Sequence, residues 1–285
     1  MKTENLLITI QTVYNQFTKA EKKIADYVLQ NYDKVVFMSI TDLSDECKVA
    51  DASVFRFCRT LGLKGYQEFK MKLSLTMHND DQASEILNVS GNELTDEMSL
   101  AENIMNNSIN ALKETFMLLK KSQVIETVEL MNKARNVYFF GVGDSLLTAQ
   151  EARNKFLRIT NKVQCISDPH MQAMAAAMTT SEDVIIFISY SGATKDNVLV
   201  AEIAKKNGTK IVAITRFVKS PLTVYTDAIL LCGSNEGPLQ GGAMSSKVSQ
   251  MFLIDILLQQ YYKRNKEQST INNQNTTSAV VEKLY

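Results

Sequence analysis

The sequence has no excess charge of either sign, few cysteines and no long apolar run at its amino end. Its 31 basic and 31 acidic side chains balance, which excludes a global positive field for nucleic acid and leaves only a local one. The four cysteines have no paired metal-ligand spacing, so they predict reduced thiols in a cytoplasmic protein and no metal site. We expect neither a signal peptide nor a transmembrane helix, and therefore no membrane contact.

Proline is also absent from residues 1–77, where β-branched runs are few. This segment predicts an all-α domain of short helices. Thr18 and Glu21 have the spacing of a capping box at a helix start, and another helix is predicted over residues 51–61. Residues 78–97 are rich in Asn, Asp, Ser and Gly, a composition that is typical of a linker.

A second domain is predicted over residues 98–264. From Asn136 onward, short apolar strands alternate with helices. This order predicts a parallel sheet between layers of helices, an α/β three-layer sandwich. Residues 265–285 are a polar tail that we expect to be mobile.

Residues 183–194 join an apolar strand to a hydroxyl-rich loop and then to a helix. A helix N-terminus favours an anion because its first N–H groups are unpaired and the helix dipole is positive there. Gly192 allows close approach of the backbone, while Ser189, Ser191 and Thr194 add hydroxyl groups. The pattern predicts a phosphate-binding loop, although the same residues could form a turn that only caps the helix.

A glycine-rich loop at residues 141–145 also follows a strand and opens a helix. The third glycine of a dinucleotide fingerprint would fall at Leu146, so the pattern argues against a nicotinamide cofactor, and we expect no cofactor. Gly143 and Ser145 are instead candidate contacts for a polar ligand. Open α/β sheets bind ligands at the carboxyl ends of their strands, so both loops are expected to face one pocket.

Two closely spaced helices, residues 39–48 and 51–61, have the arrangement of a helix-turn-helix. Helical spacing places Val54, Phe57, Cys58 and Leu61 on the buried face of the second helix. The predicted outer face consists of Ser53, Arg56, Arg59 and Thr60. Residues 56–72 carry five cations against one carboxylate, namely Arg56, Arg59, Lys64, Lys70 and Lys72 against Glu68. Such a helix suits the major groove of DNA, although a solvated helix face would show the same pattern.

The two halves together resemble the RpiR family of bacterial transcription regulators that respond to sugar phosphates. The resemblance runs nearly end to end. Motifs similar to the family's DNA-binding domain lie at residues 17–28, 38–40, 54–62 and 64–70. Motifs similar to a sugar isomerase (SIS) domain lie at residues 141–145, 189–194 and 242–247. Lys48 and Ala50 depart from the glycine and serine usual in the family, which makes Asp51 an alternative N-cap.

The resemblance implies a regulator, not an enzyme, that binds a palindromic double-stranded DNA operator as a homodimer or homotetramer. A phosphorylated sugar in the SIS domain would control operator binding. The expected ligand contacts are Gly143, Ser145, Ser189, Ser191, Gly192, Thr194 and Glu236. We expect Arg56 and Ser53 to contact bases, and Arg59 and Lys64 to contact phosphates.

The alternative function is a sugar-phosphate isomerase with a helical amino-terminal extension. Isomerisation needs a base beside the carbon that loses its proton. Glu236, His170 and Asp168 fall in loops at strand ends and are the candidates. Glu236 precedes Pro238 and a glycine-rich turn, and it could equally orient sugar hydroxyls in a sensor without catalysis.

Overall fold

The computed structural model describes residues 6–79, 97–234, 244–281 and 283. The chain divides into two compact units, one containing residues 6–79 and the other containing residues 106–234 and 244–281. Most of the predicted linker and the candidate residue Glu236 lie outside the described residues.

The amino-terminal unit consists of short α-helices. They are α1 (Leu6–Val13), α2 (Lys19–Val35), α3 (Ile40–Glu46), α4 (Asp51–Thr60) and α5 (Tyr66–Asn79), with a 3-10 turn at Tyr14–Gln16. The predicted capping box is confirmed, because the Thr18 hydroxyl accepts from the Glu21 N–H and the Glu21 carboxylate accepts from the Thr18 N–H at 2.8 Å. This pairing satisfies N–H groups that a helix start otherwise leaves without partners.

Aromatic rings form the centre of this unit. The Phe57 ring of α4 packs against Phe17 and Phe69, at centroid distances of 5.1 and 5.8 Å. Val54, Phe57 and Cys58 are all fully buried, which confirms the predicted inner face of α4.

The turn between α3 and α4 contains a left-handed residue, Lys48, with φ of 53°. Ala50 occupies the N-cap position of α4 and makes no side-chain cap hydrogen bond, so the expectation that Asp51 is the N-cap is wrong. Asp51 is instead the first helical residue, and its carboxylate accepts hydrogen bonds from Thr41 at 3.0 Å and from Ser44. These bonds hold α3 against α4.

The rest of the described chain alternates strands and helices after two leading helices. In order, the elements are α6 (Glu97–Leu118), α7 (Lys121–Lys133), β1 (Asn136–Phe140), α8 (Asp144–Leu157), β2 (Val163–Cys165), α9 (Pro169–Met178), β3 (Asp183–Ile188), α10 (Lys195–Lys206), β4 (Lys210–Thr215), β5 (Ala228–Leu231), α11 (Met244–Arg264) and α12 (Lys266–Val281). A 3-10 turn lies at Thr223–Tyr225. No helix in the described part of the chain has both the length and the apolar content needed to cross a membrane.

The five strands form one parallel sheet in the order β2-β1-β3-β4-β5. All six residues of the central strand β3 are buried. Its side chains alternate, so that Val184, Ile186 and Ile188 pack with residues of α7, α8 and α11, while Ile185 and Phe187 pack with residues of α9 and α10. Helices on both faces explain why β3 is a continuous apolar run, and the predicted three-layer architecture is confirmed.

The polar segment after Asn265 forms a packed helix rather than the expected mobile tail. In α12, Asn272 donates a hydrogen bond to the Ile159 carbonyl at 2.9 Å, and Thr276 donates to the Arg158 carbonyl at 3.1 Å. Composition did not predict this, because the partners are backbone carbonyls more than a hundred residues earlier in the chain.

Candidate functional site

The loop of residues 189–194 follows β3 and leads into α10. Gly192 has a φ of +59°, and a Cβ added there would lie 2.1 Å from the Ser220 hydroxyl oxygen. Both the left-handed conformation and the close approach therefore require glycine. The Leu222 N–H donates to the Gly192 carbonyl at 2.9 Å, which fixes the loop against the segment after β4.

The helix-capping alternative for this loop lacks support in the structure. Thr194 is the N-cap residue of α10, yet its side chain makes no cap hydrogen bond. Ser191 accepts from the Ala193 N–H at 3.2 Å within the loop itself. The hydroxyl groups of this loop thus do not cap the first N–H groups of α10.

Two deeply buried polar atoms lie next to this loop without partners. The Ser189 hydroxyl and the Asn197 side-chain carbonyl oxygen have no hydrogen-bond partner among the described residues, and the two residues are 2% and 1% exposed. An unpaired buried polar group costs about 1–3 kcal/mol, so native structures rarely keep one without a functional reason. Sequence reasoning missed Asn197, whose signal was an amide in the first turn after a hydroxyl-rich loop.

The loop of residues 141–145 is likewise shaped by glycine. Gly143, with φ of +63°, is the N-cap residue of α8. A Cβ on Gly141 would lie 2.7 Å from the Ser145 carbonyl oxygen. Buried Gln172 of α9 holds this loop, because its amide nitrogen donates to the carbonyls of Gly141 at 3.0 Å and Ile166 at 2.7 Å.

Contacts from a third segment connect to both loops. Lys247 in the first turn of α11 pairs with Asp144 at 2.8 Å. The Tyr190 hydroxyl donates to the Ser234 carbonyl at 2.5 Å, and the Ser234 and Ser245 hydroxyls are 3.1 Å apart. The start of α11 is therefore brought to the same edge of the sheet as the two loops.

Arg216 supplies a second cation at this edge. It directly follows β4, its N–H donates to the Tyr190 carbonyl at 3.0 Å, and its guanidinium donates to the Cys232 carbonyl at 3.2 Å. Sequence reasoning did not select Arg216, because its position relative to the loops depends on sheet order. Tyr190 and Lys247 lie within the motifs at residues 189–194 and 242–247 but were not among the expected contacts.

The candidate bases for isomerisation are placed as follows. Asp168 is the N-cap of α9, and its carboxylate accepts from the Met171 N–H at 2.9 Å. His170 lies in the same first turn and is exposed. Glu236 lies outside the described residues. Asp168 thus has a structural task that explains its presence.

The four cysteines are free thiols. Burial raises the pKa of Cys58 and of Cys232 to about 12 and that of Cys47 to about 11. Nucleophilic chemistry needs a thiolate, so these three groups are inert at neutral pH. Among the described residues, no cluster of three or more His, Cys, Asp or Glu side chains is placed to hold a metal ion.

The outer surface of α4 differs from the prediction at Ser53. Ser53 is only 6% exposed, so its predicted outward position is wrong. Its hydroxyl accepts a hydrogen bond from Nη2 of Arg56 at 3.2 Å, while Arg56 and Arg59 are exposed as expected. The geometry makes Ser53 a support for the Arg56 side chain.

Thr60 at the end of α4 is exposed, as predicted, and its side chain also contacts α2. Its hydroxyl donates to the Glu21 carboxylate at 2.8 Å. Burial alone would raise the pKa of Glu21, but hydrogen bonds from Thr18 and Thr60, with Arg56 nearby, lower it below its usual value. Glu21 therefore remains charged and links the start of α2 to the end of α4.

The basic patch is smaller than predicted because Lys70 points inward. Lys70 is 7% exposed, and its ammonium donates to the Met38 carbonyl at 3.1 Å. Burial lowers the pKa of Lys70 to about 8. The exposed cations of residues 56–72 are Arg56, Arg59, Lys64 and Lys72.

Comparisons with known proteins match both halves of the chain. Residues 4–80 match the helix-turn-helix domain of the rpiR family, and residues 130–259 match the SIS domain. An HTH-type transcriptional regulator of Haemophilus influenzae is 36% identical over 99% of this chain and 98% of its own length. The regulator HexR of Pseudomonas aeruginosa is 31% identical over 89% of this chain and 88% of its own length.

A solved structure is similar over almost the whole chain. The NanR protein of Vibrio vulnificus, in complex with ManNAc-6P, is 28% identical and superposes with a TM-score of 0.88, covering 98% of this chain and 99% of that one. The motifs, the two units and these similarities agree: the chain belongs to the RpiR family of HTH-type transcriptional regulators, with an amino-terminal helix-turn-helix domain and a carboxyl-terminal SIS domain.

Proposed function

We propose that a phosphorylated sugar bound at the carboxyl edge of the SIS-domain sheet controls operator binding by this protein. The observation that carries the proposal is the buried Ser189 hydroxyl, which has no partner among the described residues, next to the left-handed Gly192 and a helix start without a side-chain cap. The proposed ligand contacts are Gly143, Ser145, Ser189, Ser191, Gly192, Thr194 and Glu236.

The chemistry of this edge suits an anion that carries hydroxyl groups. The starts of α8 and α10 present N–H groups, which favour phosphate. Arg216 adds positive charge beside them, and Lys247, which is paired with Asp144, adds N–H donors. The similar protein NanR was solved with ManNAc-6P, which supports a phosphosugar for this chain as well.

On the DNA side, we assign base contact to Arg56 and phosphate contacts to Arg59 and Lys64. All three are exposed. A guanidinium reads guanine through two hydrogen bonds in the major groove, and Ser53 holds the Arg56 guanidinium from one side. Ser53 thus contributes to recognition by positioning Arg56 rather than by reading a base.

A palindromic operator requires at least two copies of the reading helix, so we assign the protein a homodimeric or homotetrameric state. Large apolar side chains exposed on α6 support self-association, because burial of apolar surface drives most protein association. They are Met98, Leu100, Ile104, Met105, Ile109, Phe116 and Met117. Action on DNA and the free thiols fit a cytoplasmic protein.

The effector regulates by binding one arrangement of the protein more tightly than another. A ligand shifts a conformational equilibrium only by its difference in affinity for the two states. By linkage, operator DNA must change the affinity for the sugar by the same factor. Hydroxyls, N–H groups and cations suffice to bind the phosphosugar, and Glu236 would orient its hydroxyl groups, so we assign the site binding without turnover.

Thermal-shift measurements with a panel of phosphosugars test the proposal. A ligand that binds only the folded state raises the melting temperature. A gel shift at fixed salt then shows whether this ligand releases the protein from operator DNA or promotes its binding. We expect Ser191→Ala to abolish the shift and Ser181→Ala, a control before β3, to retain it. Equal shifts for both variants, or no response to any phosphosugar, would refute the site.

A further inference from the structure

A cavity of about 640 Å³ lies at the amino-terminal edge of the sheet, beside β2. Its walls come from the segment before β2 and from the facing sides of α11 and α12. The loops that bear Ser145 and Ser191 follow the strands, whereas the residues of this cavity precede them, so the two places lie at opposite edges of the sheet. Side-chain amides dominate the wall, namely Asn132, Asn161, Asn265, Gln268, Asn272 and Asn275.

The wall that α12 supplies is held in place by hydrogen bonds. Asn272 and Thr276 donate to the carbonyls of Ile159 and Arg158 at 2.9 and 3.1 Å. The Gln268 amide donates to the Asn272 side-chain carbonyl at 3.0 Å, which orients both amides. The cavity is thus preformed, as small-molecule sites usually are.

Ser269 in this wall has an unsatisfied hydroxyl. The residue is 1% exposed, and its hydroxyl oxygen has no hydrogen-bond partner among the described residues. A serine in a helix can donate a hydrogen bond from its hydroxyl to the backbone carbonyl one turn earlier, but the Ser269 hydroxyl does not. A buried hydroxyl left in this state costs about 1–3 kcal/mol.

The charges of the cavity argue for an uncharged occupant. None of the residues that line it is acidic. Its one lysine, Lys162, already donates to the Asn132 carbonyl at 2.9 Å. The polar part of the wall therefore consists mainly of neutral amides beside a single ammonium, which best matches an uncharged partner.

The lining groups match a hydroxyl-rich molecule. Each side-chain amide offers a donor and an acceptor side by side, and neighbouring hydroxyls of a sugar need that pair. Tyr261, Leu157 and Ile159 add apolar surface for the C–H face of a ring. The volume falls within the range of about 300–1,000 Å³ that is usual for ligand pockets.

We propose that this cavity binds an uncharged, hydroxyl-rich small molecule of the size of an unphosphorylated monosaccharide, independently of the phosphosugar site. The ligand bridges α12 and the segment between α8 and β2, and it thereby stabilises the carboxyl-terminal helix on the sheet.

Saturation-transfer NMR on the full-length protein tests this, with a panel of unphosphorylated pentoses, hexoses and N-acetylhexosamines at concentrations up to about 10 mM, a range that detects millimolar dissociation constants. We expect at least one sugar to bind and Asn275→Trp, which fills the cavity, to weaken its binding at least about tenfold, or about 1.4 kcal/mol. Gln274→Trp on the same helix, outside the lining, is the matched control and retains binding. Asn161→Trp, from the opposite wall, replaces Asn275→Trp if that variant does not fold.

Other results overturn the proposal. One is that no sugar of the panel binds. Another is that Ser191→Ala removes the binding while both cavity variants retain it, which would place the sugar at the other edge of the sheet. A third is that Asn275→Trp changes the oligomeric state and leaves sugar binding intact, which would make the cavity a subunit contact.

Discussion

The Thr60 hydroxyl at the end of α4 donates a hydrogen bond to the carboxylate of Glu21 at the start of α2, at 2.8 Å. The same carboxylate closes the Thr18 capping box. One buried acidic side chain therefore caps α2 and fixes the end of the helix that carries Arg56. This link holds the end of α4 against the start of α2.

Removing the hydroxyl of Thr60 is expected to destabilise the amino-terminal unit. Thr60→Val keeps the side-chain shape and loses the hydrogen bond to a charged acceptor, which is worth about 1.5–3 kcal/mol. Labelling of the buried thiol of Cys58 in the full chain, resolved by mass spectrometry, measures opening of this unit. Thr60→Ser is the control and retains most of the protection, whereas equal labelling of both variants would show that the bond contributes nothing.

Lys48→Gly is expected to stabilise the helix-turn-helix. Lys48 has a left-handed φ of 53°, a conformation that costs a residue with a side chain roughly 1–2 kcal/mol. Glycine avoids this cost, but the greater freedom of its unfolded chain lowers the stability of the folded state by about 0.4–1 kcal/mol. The net gain is therefore on the order of 0.5–1 kcal/mol, seen as slower labelling of Cys58. Lys48→Ala keeps the strain and should show no comparable gain. A gain of the same size in both variants would point to the lysine side chain instead.

Burial of Lys70 predicts a stability that rises with pH. The folded pKa is about 8, against 10.5 for the exposed group, so between these values the unfolded chain holds a proton that the folded chain has released. The free energy of unfolding of the unmodified protein, relative to that of Lys70→Met, must therefore increase between about pH 8 and pH 10.5. The buried thiols Cys47 and Cys58 have the opposite effect, but both proteins contain them, and the comparison cancels it. A difference that stays flat with pH would mean that Lys70 is not buried as an ammonium.

Ser53 and Arg56 are expected to act on DNA as one unit. Arg56→Ala should lower specific operator affinity by about 1–3 kcal/mol, and Ser53→Ala should lower it by less because the guanidinium loses only its support. In the Arg56→Ala background, Ser53→Ala should have no further effect. Gel shifts at fixed salt measure all four proteins, and additive losses would show that Ser53 contacts DNA independently.

Arg59→Ala and Lys64→Ala provide the contrast. Phosphate contacts carry no sequence information, so each substitution should weaken binding to operator DNA and to random DNA equally. It should also reduce the slope of log affinity against log salt concentration by about one. If a substitution weakened binding to operator DNA but not to random DNA, that residue would be assigned a base contact instead.

Gly192→Ala is expected to abolish phosphosugar binding. The added Cβ would lie 2.1 Å from the Ser220 hydroxyl oxygen, at a φ of +59°. Gly208→Ala is the matched control, since its φ is +77° but the nearest atom to the added Cβ is 3.6 Å away. Both variants carry the backbone strain, and only Gly192→Ala displaces the loop. Equal phosphosugar affinity in the two variants, measured by calorimetry, would exclude the loop from the site.

Local patterns in the sequence determined the two domains, the parallel sheet, the capping box at Thr18 and the glycines of both loops. These features depend on the period of apolar residues and on backbone conformations that few residue types adopt. Helical spacing likewise placed Val54 and Phe57 inside and Arg56 outside.

Tertiary structure decided the side chains whose surroundings come from distant segments. Ser53 and Lys70 are polar, yet neighbouring helices bury both, and the acceptor of Lys70 is the carbonyl of Met38. The polar residues of α12 donate to backbone carbonyls that precede β2, and Lys247 lies at the ligand edge because α11 packs back against the start of α8. The burial of a residue depends on which segments pack against it. The local spacing of apolar residues does not indicate which distant segment will do so.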